Sequence, residues 1–210
     1  MPRASRYTAA SYDVSDDLGS IDELVGLIHQ QVETSLEDPE TRQLALSIAN
    51  GSYDWVVDPR TGEPAPVVKY HGRYYPVAPG TDQPAAVCKP RDFKCEVTAI
   101  WTFLVLNNRY IADLDGADVY SDLRTTLESG GGDCDDMTVA FCSLLRGIGY
   151  ECVARVISLR GNSWDHIYPI VKVPNHGWVA LDATEDGKLP GWEFATPAKT
   201  KDFDMGIGAQ

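Results

Sequence analysis

The fold of this chain is decided by residues 130–147, GGGDCDDMTVAFCSLLRG. The apolar residues of this stretch recur at helical spacing, and Cys134 falls on the same inward-facing stripe. The glycines allow a close approach to the helix start, where Asp133 is a favourable N-cap residue. Unpaired backbone N–H groups and the helix dipole favour a thiolate at that end. The stretch therefore predicts a reactive thiol at the start of a buried helix.

Two carboxylates follow the thiol directly and oppose its activation. Asp135 and Asp136 come immediately after Cys134, and nearby negative charge disfavours a thiolate. We therefore expect at least one of them to accept hydrogen bonds from backbone N–H groups rather than face the sulfur. Asp133 and Asp136 are the residues that we expect to support the site structurally.

Three segments rich in β-branched and apolar residues come after the helix, at 150–159, 164–173 and 178–184. Turn residues separate them, which favours an antiparallel meander of three strands. In such a meander His166 lies near the start of one strand and Asp182 near the end of its neighbour. A thiol, an imidazole and a carboxylate can therefore converge.

In this order the motifs resemble the transglutaminase-like core over about residues 95 to 185. The resemblance is carried by Gly132-Asp133-Cys134-Asp135-Asp136, Arg146-Gly147-Ile148-Gly149, His166-Ile167-Tyr168 and residues 178–184, WVALDAT. Residues 99–113 are similar to the helix and tyrosine that precede the cysteine, most closely in short members from bacteria and their phages. The resemblance implies a papain-like α+β fold, with helices packed on an antiparallel sheet.

The resemblance also implies site residues and a reaction. Cys134 is the nucleophile, His166 the base, and Asp182 the carboxylate that orients the imidazole. The backbone N–H of Cys134 is one oxyanion donor, and Trp101 and Tyr110 are both candidates for the second. We expect acyl transfer or hydrolysis on peptide or side-chain amides through a thioester. The sequence leaves open whether the acceptor is water or an amine.

An alternative function uses the same fold with little or no catalysis. In this interpretation the chain is a structural or assembly protein of a phage particle, and virion proteins are its partners. An acidic surface, an aromatic hairpin and an N-terminal arm motivate it. The enzymatic interpretation requires a protein or peptide substrate instead. We expect no cofactor and no bound metal for either function.

Charge and composition exclude other classes of partner. The 18 basic and 31 acidic residues give a net charge of −13, which repels phosphate backbones and anionic lipids. We therefore expect no nucleic-acid partner and no membrane partner. No apolar run has the length of a membrane span, and the first residues do not resemble a signal peptide. We expect a cytoplasmic protein or, for the alternative function, one incorporated in a virion.

The chain divides into an arm, one domain and a tail. Residues 1–19 are predicted to be a flexible arm, residues 20–194 a single transglutaminase-like domain, and residues 195–210 a tail that frays. Helices are expected from a capping box at 20–23, from Asp38-Pro39, and from Cys95 onward. An insertion at about 52–94 carries a hairpin signal around His71-Gly72.

Two groups of potential ligands leave more than one interpretation open. Cys88 and Cys95 are compatible with free thiols, with a local disulfide, or with a metal site that includes His71. The odd count of five cysteines favours a reducing compartment. The acidic residues between 111 and 129 permit calcium binding, but they lack the EF-hand order and favour a solvated loop with a short helix.

Overall fold

A computed structural model describes residues 18–78, 87–89, 91–112, 120–185 and 187–208. The predicted arm at 1–19 lies outside the described residues except for Leu18 and Gly19, which begin the first helix. In chain order the elements are α1 (Leu18–Glu37), α2 (Pro39–Asn50), β1 (Asp54–Val57), β2 (Pro64–Tyr70), β3 (Arg73–Pro76), α3 (Phe93–Asn107), β4 (Arg109–Tyr110), α4 (Leu123–Ser129), β5 (Gly131–Gly132), α5 (Cys134–Gly147), β6 (Glu151–Ser158), β7 (His166–Val173), β8 (Gly177–Ala180) and β9 (Lys199–Ile207).

The strands form three sheets. Strands β1, β2 and β3 make an antiparallel sheet, and β4 and β5 make a short parallel pair. The largest sheet is antiparallel and has the order β8-β7-β6-β9. The α+β class with antiparallel sheets is thus confirmed, as is the meander of the three predicted strands.

Helix α5 lies at the centre of the core. Every residue from Asp135 to Gly147 is buried, because α1, α2, α3 and α4 pack against the helix together with strands of the large sheet. Phe141 and Leu144 on this helix have no exposed surface. Burial of this kind stabilises each large apolar side chain by about 2 kcal/mol and fixes the position of the helix start.

Local signals place the ends of α2 correctly. Asp38 accepts a hydrogen bond from the backbone N–H of Glu40, Pro39 occupies the first helical position, and Gly51 closes the helix with φ of 69°. The hairpin between β2 and β3 is also confirmed. His71 and Gly72 form its two-residue turn with φ of 45° and 76°, as a type I′ turn requires.

The C-terminal segment is more ordered than the sequence predicted. Residues 195–210 were expected to fray, but β9 pairs antiparallel with β6, for example through Ile157 and Thr200. The segment lacks an apolar alternation because most of its side chains are not buried, and Met205 is the exception with no exposed surface. Its stability comes from backbone pairing along the edge of β6, which side-chain patterns do not report.

Cys88 in the insertion and Cys95 in α3 form a disulfide, which is one of the three interpretations that the sequence left open. Cys88 and Cys95 are bonded through an S–S distance of 2.05 Å. The metal site with His71 is not formed, because that histidine contacts Asp38 instead. A disulfide also departs from the expectation of a reducing compartment. Separately, no helix in the described ranges has the length and apolar character needed to cross a membrane.

Candidate active site

The glycines before Cys134 are required by close packing. Strand β5 pairs with β4 so that Arg109 lies opposite Gly131. A Cβ atom at Gly131 would lie 2.1 Å from the carbonyl oxygen of Arg109, and one at Gly132 would lie 2.3 Å from Oδ2 of Asp136. A side chain at either position would collide with these atoms. The two glycines therefore let the chain enter α5 at this place.

The acidic residues around Cys134 have distinct contacts. The carboxylate of Asp133 accepts hydrogen bonds from the backbone N–H groups of Asp135 and Asp136, at 3.2 and 3.5 Å. Oδ1 of Asp136 accepts from the backbone N–H of Ser121 at 2.8 Å. The prediction that at least one of the two following carboxylates bonds backbone is therefore confirmed for Asp136. Cys134 itself is half-buried at the first position of the helix.

The large sheet brings His166 and Asp182 together. His166 is the first residue of β7, and Asp182 lies two residues beyond the end of β8, the strand that pairs with β7. Nε2 of His166 is 2.8 Å from Oδ2 of Asp182, and the two side chains are only 5% and 1% exposed. Thr184 donates its backbone N–H and its hydroxyl to Oδ1 of Asp182, at 3.0 and 2.7 Å.

The pair is electrostatically coupled. Burial alone would lower the pKa of His166, but hydrogen bonds to Asp182 and Cys134 raise it to about 10. Burial alone would raise the pKa of Asp182, and the hydrogen bonds from His166 and Thr184 outweigh it, so that this pKa is lowered. Both shifts favour the ion pair of a protonated imidazole and a carboxylate.

The thiol of Cys134 interacts with the imidazole of His166, whose Nε2 is bonded to Asp182. The rings of Tyr168 and Phe194 lie at centroid distances of 5.6 Å from His166 and hold the imidazole in place. The structure thus brings the three predicted residues Cys134, His166 and Asp182 to one place.

A cleft of about 410 Å³, partly open to solvent, lies in front of the thiol. It is lined by residues of α1, α5, β6, β7 and the segment before β7, together with Tyr120; they are Ile21, Leu24, Tyr120, Cys134, Asp135, Val156, Trp164, Asp165, His166 and Ile167. Sequence reasoning did not identify Trp164 or Tyr120 as site residues, because neither belongs to a motif. Thr184 was part of the quoted motif, but no role was assigned to it.

The candidates for the second oxyanion donor lie outside this lining. Trp101 is in α3, and its indole N–H is buried without a hydrogen-bond partner in the described part of the chain. Tyr110 is in β4 and is 49% exposed.

The remaining free thiols, Cys142 and Cys152, are fully buried, and burial raises the pKa of Cys152. Neither of these two cysteines lines the cleft.

One group near the thiol has the composition of a metal site. Asp133, Cys134 and Asp135 each offer a ligand atom, and these atoms lie within 4.8 Å of one another. Oδ1 of Asp133 already accepts two backbone hydrogen bonds, which reduces its capacity as a ligand. This arrangement suits a helix cap better than a closed metal site with four ligands.

Comparisons with known proteins agree with the motifs. Residues 83–183 match the model of the transglutaminase-like superfamily, and this range includes all three convergent residues. No curated protein matches the chain. A solved structure, "a Putative Cysteine Protease from Cytophaga hutchinsonii", is 15% identical, with a TM-score of 0.35 over 55% of this chain. The match spans 46% of that protein, which is less than half its length. The chain thus carries a transglutaminase-like core at residues 83–183.

Proposed function

We propose that this protein is a thiol enzyme that transfers or hydrolyses acyl groups of peptide or side-chain amides. The observation that carries the proposal is the buried pair of His166 and Asp182 beside the thiol of Cys134 at a helix start. A thiol near an imidazole that a carboxylate orients supports the roles of nucleophile, base and orienting group. The cleft gives a substrate access to the sulfur.

The raised pKa of His166 makes its imidazole a strong base. The imidazole takes the proton of the Cys134 thiol, and the sulfur attacks the amide carbonyl to form a C–S bond. When the C–N bond breaks, the imidazolium gives its proton to the leaving amine, and a thioester remains. Water or a second amine then attacks the thioester, loses a proton to the imidazole, and breaks the C–S bond. The thiolate is thereby released, and the proton returns the imidazole to the imidazolium.

The oxyanion formed in each step needs two hydrogen-bond donors. The backbone N–H of Cys134 is one of them, because it belongs to the unpaired first turn of α5. We assign the indole N–H of Trp101 as the other candidate in preference to Tyr110. The indole N–H is buried and has no partner among the described residues, whereas an N–H of this kind usually has one.

Replacement of Cys134 by Ala tests the proposal. We expect a fall of at least about 10³-fold in acylation by glutamine peptides, casein or cell-wall peptides in the presence of an amine probe. Stability should change little, because a small half-buried group is removed. Cys142→Ala is the matched control, since it removes a fully buried thiol outside the cleft and should keep the activity.

Limiting iodoacetamide gives a second test that needs no substrate. We expect Cys134 to be alkylated before Cys142 and Cys152, because it alone of the three lies beside the imidazolium and the cleft. Mass mapping of the tryptic peptides identifies the modified residue. If Cys134 stays intact while another thiol is alkylated, or if wild type and Cys134→Ala have equal activity, the enzymatic function is wrong.

A structural or assembly role in a phage particle is the second candidate that we propose. Trp55, Val57 and Tyr74 support it, because the three-stranded sheet leaves these large side chains more than half exposed. Such a role predicts that the protein co-purifies with a particle in fixed stoichiometry and that Cys134→Ala leaves this incorporation intact. Absence of the protein from purified particles would contradict it.

A further inference from the structure

Thr184 contacts both members of the buried histidine–aspartate pair. Its backbone N–H and its hydroxyl donate to Oδ1 of Asp182 at 3.0 and 2.7 Å. Its Oγ1 also lies 3.5 Å from Nε2 of His166, at the outer limit of a hydrogen bond. The threonine follows Asp182 by two positions, in the segment that leaves β8. Its hydroxyl therefore lies where the carboxylate and the imidazole meet.

The turn after β8 explains the backbone contact of Thr184 but not the contact of its hydroxyl. An aspartate commonly accepts a hydrogen bond from the backbone N–H two residues later, and this single bond closes the turn. The hydroxyl adds a second bond to the same oxygen of Asp182, and it is the shorter of the two. A turn that depended on backbone alone would accept a residue without a hydroxyl at this position.

The two bonds from Thr184 replace water around a buried charge. The side chain of Asp182 is 1% exposed, and a carboxylate without water is costly unless hydrogen bonds compensate for its lost solvation. Oδ2 is bonded to Nε2 of His166, and Thr184 supplies two donors to the other oxygen. Burial raises the pKa of Asp182, and the bonds from His166 and then Thr184 lower it. The threonine thus helps to keep the carboxylate charged.

The same contacts fix the orientation of the carboxylate. Two donors from one residue converge on Oδ1 and restrict rotation of the carboxylate of Asp182, so Oδ2 stays directed at His166. The rings of Tyr168 and Phe194 restrict the imidazole on its own side. An orienting carboxylate has to keep this geometry while the imidazole gains and loses a proton. Thr184 meets that requirement from outside the pair.

Few titratable groups act on the imidazole, which makes the effect of Asp182 measurable. Asp182 and Cys134 interact with His166, and the ring of Tyr168 lies 5.6 Å from it. Asp165, the preceding residue, is bonded to a hydroxyl and to a backbone N–H in the connection between β6 and β7. Burial lowers the pKa of His166, and the bonds to Asp182 and then Cys134 raise it. A weaker bond to Asp182 should therefore lower the pKa of His166.

We propose that Thr184 is a positioning residue for His166 and Asp182 and that it acts through its hydroxyl. The inference rests on the proposed function, because the imidazole that the carboxylate orients is the base of that reaction. Thr184 is not part of the cleft lining that the described residues form, so it acts through Asp182 and not on the substrate. Its hydroxyl holds Oδ2 toward Nε2 and thereby fixes the tautomer of the imidazole.

Thr184→Val separates the hydroxyl from the turn. Valine keeps the branched shape and the backbone N–H and removes the hydroxyl. We expect kcat for p-nitrophenyl ester cleavage to fall about tenfold with KM within about twofold, because the base serves acylation and deacylation. Thr184→Ser keeps a hydroxyl and should stay within about twofold of wild type. Thr126→Val is the matched control, since Thr126 is fully buried and donates its hydroxyl to a backbone carbonyl at the start of α4.

Titration of His166 by NMR tests the same contact without a substrate. In Cys134→Ala the thiol is absent, so Asp182 is the remaining bonded partner that raises the pKa of His166. We expect this pKa to be about 1 lower in Cys134→Ala/Thr184→Val than in Cys134→Ala, because the carboxylate has lost a hydrogen bond. Thr184→Ser in the same background should leave it unchanged. His166→Gln identifies the signal among those of the four histidines.

The two measurements separate this proposal from the enzymatic function. A lower pKa of His166 in the valine variant supports positioning even if wild type transfers no acyl group, which would contradict the enzymatic function alone. If Thr184→Val keeps the pKa and the kcat of wild type, or loses stability without a change in pKa, the threonine is merely structural and the proposal fails. Equal losses in Thr184→Ser and Thr184→Val would also overturn it. Thr184→Ala, which adds no bulk, takes the place of Thr184→Val in both measurements if the valine variant does not fold.

Discussion

The described part of the chain contains two buried or half-buried histidine–aspartate pairs, and their surroundings differ. His166 and Asp182 meet beside the cleft, with side chains 5% and 1% exposed. His71 and Asp38 meet at the hairpin turn of the insertion, with side chains 20% and 24% exposed. Both pairs join Nε2 to Oδ2, so the hydrogen bond alone does not distinguish a candidate active site.

The remaining contacts make the distinction. Asp38 caps α2 and accepts a hydrogen bond from the hydroxyl of Tyr70, while Glu40 accepts from the backbone N–H of His71. These contacts fasten the hairpin to α2, which is a structural role. His166 instead interacts with the thiol of Cys134 and lines a cleft. A histidine–aspartate pair is therefore a candidate catalytic group when a nucleophile interacts with the imidazole and a substrate can reach that nucleophile.

Asp→Asn substitutions in the two histidine–aspartate pairs should have the largest difference in effect. Asp182→Asn removes the charge that holds the imidazolium, and we expect acylation of Cys134 to slow by about 10² to 10⁴-fold. Asp38→Asn should leave that rate unchanged and lower the free energy of unfolding by about 1 kcal/mol. Rates of p-nitrophenyl ester cleavage and urea unfolding of the two variants measure both quantities. Equal loss of activity in the two variants would remove the distinction between the pairs.

The pH dependence of stability should also differ between the two histidine–aspartate pairs. The folded-state pKa of His166, about 10, lies above the ordinary value of 6.5, so its stabilisation is complete below pH 6.5 and is lost as pH rises toward 10. We expect this loss to be about 5 kcal/mol in wild type and absent in His166→Gln. Urea unfolding at several pH values gives the slopes. His71→Gln is the control and should keep the slope of wild type.

The disulfide of the insertion should affect stability and not reactivity. Its short loop predicts that the double substitution Cys88→Ser/Cys95→Ser lowers the free energy of unfolding by about 2 kcal/mol. The rate of Cys134 alkylation should stay within about twofold, because the disulfide is not part of the cleft lining. Denaturant titration and mass mapping provide the two values. A large fall in the alkylation rate would show that the disulfide affects the active site.

Much of the site was predictable from the sequence because its signals are local. The glycines and Asp133 act on a helix start within a few residues, and the alternation and turns of the meander place His166 near Asp182. The position of β9 was not predictable, since its pairing uses backbone groups of β6 that are far away in sequence. The sequence also did not decide whether Cys88 and Cys95 form a disulfide, remain free thiols or bind a metal; the structure shows the disulfide.

The amino-acid sequence by itself determined the helix that presents Cys134, the strands that carry His166 and Asp182, and the superfamily. Capping, periodicity and turn formation depend on near neighbours, which a linear sequence displays directly. Only the tertiary structure decided that Asp136 is bonded to backbone, while Oδ1 of Asp135 is buried without a partner among the described residues. Burial and hydrogen bonding of a charged group depend on residues that folding brings together, and these interactions set its energy.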